Sequence, residues 1–110
     1  SRLAGSAEYL FSGFALDTQA MSLTSPTGKD IALTTYEFLV LRSLVERPNI
    51  VLSRASLVDF VYAENSYGSE RTIDNLISRI RAKLSDYTDT NLVKTVRGVG
   101  YVFTGTVKLE

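Results

Sequence analysis

The hydrophobic period of this chain changes twice, and those changes confine it to few folds. Up to Leu33 the apolar residues come in short clusters: Tyr9-Leu10-Phe11, Phe14-Ala15-Leu16, Met21-Ser22-Leu23 and Asp30-Ile31-Ala32-Leu33. Turn formers such as Ser-Gly, Asp-Thr-Gln and Ser-Pro-Thr-Gly separate them, which predicts a small antiparallel meander. From Thr34 the spacing becomes helical. Thr34-Thr35-Tyr36-Glu37 has the form of a capping box, and Leu33 and Phe38 are placed as a hydrophobic staple. Glu37 is therefore read as a capping residue rather than a catalytic one. Phe38, Leu41, Leu44 and Val45 continue the first helix until Pro48-Asn49. Ser53 caps a second helix with Leu57, Val58 and Val61 inward, and a polar loop follows at 62–69. A third helix begins near Ser69. Its stripe Ile73, Leu76, Ile77, Ile80, Leu84 runs at i, i+3, i+4, i+7, i+11. At Leu92 the pattern returns to extended: Leu92–Arg97 and Tyr101–Thr104 flank Gly98-Val99-Gly100, which predicts a hairpin with glycines where positive φ is needed.

Composition narrows the chemistry. A chain of 110 residues fits one domain, and a hydrophobic fraction of 45% is enough for a packed core. Cysteine, histidine and tryptophan are absent. Disulfides, thiolate metal sites and histidine bases are thereby excluded, and the scattered carboxylates form no acid/base cluster. No catalytic residue, metal ligand or cofactor is expected. The longest apolar run is Phe38-Leu39-Val40-Leu41, too short to span a bilayer. Residues 1–7 read as a linker remnant, 8–104 as the domain, and 105–110 as a tail ending in a cloning remnant, Leu109-Glu110.

Twelve Lys+Arg balance twelve Asp+Glu. Taken alone, that zero net charge argues mildly against a nucleic-acid partner. The total hides an asymmetry, however. Residues 1–70 hold five bases against eight acids, a net of −3, and residues 71–110 hold seven bases against four acids, a net of +3. A polyanion meets the local field, within roughly 8 Å at physiological salt. With its apolar stripe buried, the third helix exposes Arg71, Asn75, Ser78 and Ala82, flanked by Thr72, Arg79 and Lys83 on one side and by Asp74 and Arg81 on the other. Residues 70–84 make a rod of roughly 22 Å, and an α-helix fits the major groove of DNA. Arg suits guanine edges or phosphates, Asn suits adenine, and Ser and Ala allow close approach. Taken by itself, the same helix is better described as an amphipathic surface helix with solvated charges. On the hairpin, Lys94, Thr95 and Arg97 crowd one arm. A narrow ribbon with Arg97 near its tip can enter a minor groove, or can simply cap the fold with an exposed Arg.

Four motifs decide between these readings. L-T-T-Y-E-F at 33–38, L-S-R-A-S-L at 52–57, R-T-I-D-N-L-I-S-R-I-R-A-K-L at 71–84 and T-V-R-G-V-G-Y-V-F at 95–103 closely resemble the DNA-binding effector domain of bacterial response regulators of the OmpR/PhoB class. The resemblance covers about residues 8–104, in the expected order. It implies an α+β winged helix-turn-helix fold: an N-terminal four-stranded antiparallel sheet, three helices and a C-terminal β-hairpin wing. It implies that the third helix is the recognition helix, that Arg79 reads a base, and that Arg97 is the minor-groove residue of the wing. Arg54, Tyr62, Arg71, Thr72, Arg81, Thr95 and Tyr101 match phosphate-contacting or groove-lining positions, and Lys83 and Lys94 are assigned to the backbone with them. Asn75 and Ser78 stand where some relatives carry other groove-facing residues, and are taken as base contacts that set the target sequence. Tyr62 stands where relatives often carry Trp. Asp74 either accepts from a cytosine amino group or orients a neighbouring Arg, the second being favoured.

The expected function is sequence-specific binding of double-stranded DNA by the output domain of a cytoplasmic two-component regulator. The expected partners are direct-repeat DNA, a second copy of the chain, a receiver domain, and RNA polymerase through loop 62–70. No membrane contact is expected of this segment. Two alternatives stand beside this reading: a winged-helix module that binds protein, and the DNA-binding domain of a membrane-anchored regulator. An enzyme is the least supported class.

Overall fold

A computed structural model describes residues 8–63 and 68–110; the linker expected at 1–7 lies outside the described residues. The chain runs β1 (Glu8–Phe11), β2 (Phe14–Asp17), β3 (Ser22–Thr24), β4 (Asp30–Ile31), α1 (Thr35–Val45), β5 (Leu52–Ser53), α2 (Arg54–Tyr62), α3 (Glu70–Ser85), β6 (Val93–Val96), β7 (Gly100–Phe103) and β8 (Lys108–Leu109). The α+β winged-helix architecture is as expected, with two differences at the ends of strands. Met21 was expected in the third strand but sits in the preceding turn, at φ 53°. The expected tail returns to the sheet: β8 pairs antiparallel with the free edge of β1, giving the order β4-β3-β2-β1-β8. The N-terminal sheet thus has five strands, where the resemblance implied four.

A second sheet, β5-β7-β6, forms the wing and its root. The aromatic core joins the two sheets. Phe103 of β7 meets Phe11 of β1 edge to face at 4.9 Å, and Phe11 stacks on Phe14 at 5.6 Å. Such pairs add about 1 kcal/mol beyond the area they bury. The wing is therefore anchored in the main core at its base and free only toward its tip.

Each helix begins as its cap residues dictate. Glu37 N–H donates to the Thr34 hydroxyl and Thr34 N–H to the Glu37 carboxylate, so the box closes both ways. Ser53 accepts from Ser56 N–H to start α2. Ser69 and Thr72 form a further reciprocal box at the start of α3. Val40, Leu41, Leu44, Leu57, Ile73 and Ile77 are fully enclosed where the three helices meet.

Lys83 holds this assembly at an unexpected point. The sequence places it on the phosphate-facing flank of α3, but its Nζ lies 2.6 Å from Glu37 Oε1 and 2.7 Å from the Ala32 carbonyl oxygen. Glu37 is only 2% exposed. Burial alone pushes its carboxyl pKa up; the Lys83 ion pair and the Thr34 amide outweigh that and bring it below the ordinary carboxylate value. A buried carboxylate needs a cation more urgently than DNA does, which is why Lys83 turns inward.

Gly98 and Gly100 serve different ends. Val99 N–H donates to the Val96 carbonyl at 2.9 Å, closing the wing turn, and Gly98 takes φ +77° within it. Gly100 has no positive φ. A Cβ there would run into the Leu52 carbonyl oxygen, so this glycine permits the close approach of β5 and β7.

Two outcomes are expected. Lys83→Ala should lower stability by about 2 kcal/mol, less than the roughly 3–5 of a fully enclosed pair because Lys83 retains some solvent. It should also change the acid limb. Glu37 binds its proton less readily in the folded chain than in the unfolded one, so its contribution is present above about pH 4.3 and fades as pH falls through its lowered folded value. Thermal melts between pH 3 and 7 should show that loss in the parent, and a weakened or reversed slope in Lys83→Ala. For the glycines, Gly100→Ala should cost about 3 kcal/mol by overpacking and Gly98→Ala about 1 by backbone strain. Chemical denaturation of both variants checks the order; equal costs would contradict the division of roles.

Candidate nucleic-acid interface

Burial of the α3 stripe fixes which side chains face outward. Ile73, Leu76, Ile77, Ile80 and Leu84 are all buried. At 100° per residue this turns Arg71, Asn75, Ser78, Arg79 and Ala82 to solvent, with Thr72, Asp74, Arg81 and Lys83 half-buried on the flanks. Among the described residues, no ion pair engages Arg71, Arg79, Lys94 or Arg97. Lys94, Thr95 and Arg97 are exposed on the wing, and Arg97 lies in the turn between β6 and β7. The structure thus presents exposed cations and small polar residues on one helix and on the adjacent ribbon.

The remaining candidates are engaged within the fold. Arg81 donates from Nε to the Val93 carbonyl at 2.9 Å and from Nη2 to Thr95 Oγ1 at 2.7 Å, pinning β6 to α3. The Tyr101 hydroxyl donates to Asp74 Oδ1 at 2.6 Å. Burial, with that bond next, raises the Tyr101 pKa and keeps it a protonated donor. Arg54 Nε donates to the same Asp74 oxygen at 2.8 Å, and this bond raises the guanidinium pKa further. Asp74 thus orients a neighbouring arginine, the favoured of its two readings. Thr72 spends its hydroxyl on the Ser69 amide as part of the cap.

Tyr62 is buried, its ring 4.6 Å from that of Tyr36. A Cβ on Gly68 would collide with the Tyr62 ring, so the backbone after the loop packs directly on this side chain. Desolvation raises its pKa, with Tyr36 adding to the effect. The middle of loop 62–70, residues 64–67, lies outside the described residues.

Neither the Arg81–wing contacts nor the double acceptance at Asp74 is legible in the sequence. The available signal was the seven-residue spacing of Asp74 and Arg81, two helical turns on one face. Among the described residues no helix is long and apolar enough to cross a membrane.

Residues 28–103 match the family described as transcriptional regulatory protein, C terminal. The chain is 38% identical over 92 residues to the transcriptional regulatory protein AfsQ1 of Streptomyces coelicolor, covering 83% of this chain and 40% of that protein. It thus spans less than half the length of this curated relative. The DNA-binding domain of Klebsiella pneumoniae RstA, solved in complex with the RstA box, superposes with a TM-score of 0.75 at 30% identity, over 88% of this chain and 96% of that one. The Thermotoga maritima response regulator DrrB, an OmpR/PhoB homolog, gives a TM-score of 0.76 at 32% identity, over 89% of this chain and 44% of that one.

The attachment of β6 to α3 gives an expectation of its own. Arg81→Ala should speed amide exchange of residues 93–96 about tenfold while leaving α1 protected, as loss of one charge-assisted bond would. Hydrogen-exchange mass spectrometry resolves the two segments. Unchanged exchange in the wing would contradict the tether.

Proposed function

The chain belongs to the family of transcriptional-regulator C-terminal domains, and from that premise we propose that it binds double-stranded DNA sequence-specifically, as the output domain of a two-component response regulator. The observation that carries this reading is the outward face of α3. It places Arg71, Asn75, Ser78 and Arg79 on a helix of groove-filling width, with no ion pair holding either arginine to the described residues. In this reading Arg79 reads a base edge, Asn75 and Ser78 tune the choice of base, and Arg97 on the wing enters the adjoining minor groove. Arg54, Arg71 and Lys94 face phosphate. Lys83 is left out, because Glu37 holds it.

Five cations therefore remain for DNA: Arg54, Arg71, Arg79, Lys94 and Arg97. If the three that face phosphate, Arg54, Arg71 and Lys94, each neutralise one, the slope of log affinity against log salt is roughly −2.7 per copy. With zero net charge, little long-range attraction adds to these local contacts. That limit favours two copies in tandem on direct repeats, and the rest of the regulator, taken as a receiver domain, would set when they assemble.

Selection from a random DNA pool tests this reading, with the parent and Arg79→Ala run in parallel. The parent should enrich one site, and Arg79→Ala should relax preference at one position, losing about 1–3 kcal/mol of discrimination there. Binding that ignores both sequence and salt would overturn the proposal.

A further inference from the structure

We propose that Asp74 is a positioning residue that locks the angle between the wing and α3 and presents Arg54 to the DNA backbone in the same act. The inference rests on the DNA-binding reading above and identifies the group that sets its geometry. A single oxygen, Asp74 Oδ1, accepts from Arg54 Nε at 2.8 Å and from the Tyr101 hydroxyl at 2.6 Å. The two donors reach it from different elements, Arg54 from the first position of α2 and Tyr101 from β7. Asp74 takes the Nε of Arg54, whose side chain stays 39% exposed to solvent.

Seven residues further along α3, Arg81 holds the other strand of the wing, at the Val93 carbonyl and Thr95 Oγ1. Thr95 and Tyr101 are cross-strand partners in the ladder. The path Asp74–Tyr101–Thr95–Arg81 therefore leaves α3, crosses the wing and returns to α3 two turns later. One tether would let the ribbon pivot; two tethers on the two strands fix its direction. Both guanidinium groups also lie near the Tyr101 ring, Arg54 at 5.9 Å and Arg81 at 5.5 Å from its centroid. A helix in the major groove and a wing in the neighbouring minor groove must keep a set angle, and this ring of contacts sets it.

Charge alone makes the opposite prediction. Asp74 is a half-exposed acid on the DNA-facing helix, so repulsion of phosphate predicts that removing it tightens binding. As a positioning residue, it should weaken binding when removed. The test uses the selected DNA site, fluorescence anisotropy at several salt concentrations, and the variants Asp74→Ala, Asp74→Asn, Tyr101→Phe and Arg54→Ala. Asp74→Ala should bind roughly tenfold more weakly, the scale of one lost charge-assisted bond. Asp74→Asn, whose Oδ1 still accepts, should fall between it and the parent. Tyr101→Phe should lose preference for the base pairs under the wing while keeping that of the α3 core. In an Arg54→Ala, Tyr101→Phe background, adding Asp74→Ala should have no further cost.

Hydrogen exchange on the free proteins supplies a readout that needs no DNA: residues 93–103 should exchange faster in Asp74→Ala and Tyr101→Phe at unchanged α1 protection. Thermal melts identify any variant that fails to fold, and Asp74→Asn then stands in for Asp74→Ala. Asp74 variants that bind as tightly as the parent or more tightly, or a wing whose exchange is unchanged, would overturn the inference. A parent that binds DNA without regard to sequence or salt would instead overturn the DNA-binding reading, with the wing exchange still reporting on Asp74.

Discussion

Five apolar side chains on α3 determine how the rest of the molecule is used. Ile73, Leu76, Ile77, Ile80 and Leu84 lie inside the core, and each contributes about 1.5–3 kcal/mol when fully buried. Rotating the helix by one residue would expose part of that stripe and bury charge. The core thus fixes the polar face at Arg71, Asn75, Ser78 and Arg79 as firmly as it fixes the fold. Those four residues need few supporting contacts of their own, which leaves their donors free for a ligand.

The charge balance looks different once the partners are known. Arg54 is paired with Asp74, Lys83 with Glu37, and Arg42 and Arg47 with Glu46. Arg71, Arg79, Lys94 and Arg97 are the exposed cations of α3 and the wing with no such pair among the described residues. Zero net charge therefore hides a surface on which these four cations carry no ion pair among the described residues. Two of the pairs do different work. Glu37–Lys83 neutralises a buried carboxylate and ties α1 to α3 and to the carbonyl of Ala32. Arg54–Asp74 is half-exposed, as suits a pair that orders a side chain beside a groove rather than one that holds a core.

What was legible in the sequence was what depends on neighbours along the chain. The Thr34–Glu37 box, the Ser53 cap and the α3 stripe are written within one or two helical turns, and all three are present. The motifs at 71–84 and 95–103 identified the winged arrangement. What was not legible depends on partners far apart in sequence. Lys83 looked like one more cation on an exposed flank, because Glu37 lies 46 residues away. Tyr101 and Arg81 looked available to phosphate for the same reason. Gly100 looked like a turn glycine until the approach of β5 showed a steric need instead. The fifth strand, β8, is two residues long, too short for any alternation to announce it.

In the proposed complex α3 and the wing occupy adjacent grooves at once. Dimethyl sulfate footprinting on the selected site reports both, since it methylates guanine N7 in the major groove and adenine N3 in the minor groove. Guanine protection is expected over a short core and adenine protection in the directly flanking base pairs, with Arg97→Ala removing only the second. Protection confined to one groove, or both signals lost together in Arg97→Ala, would contradict it.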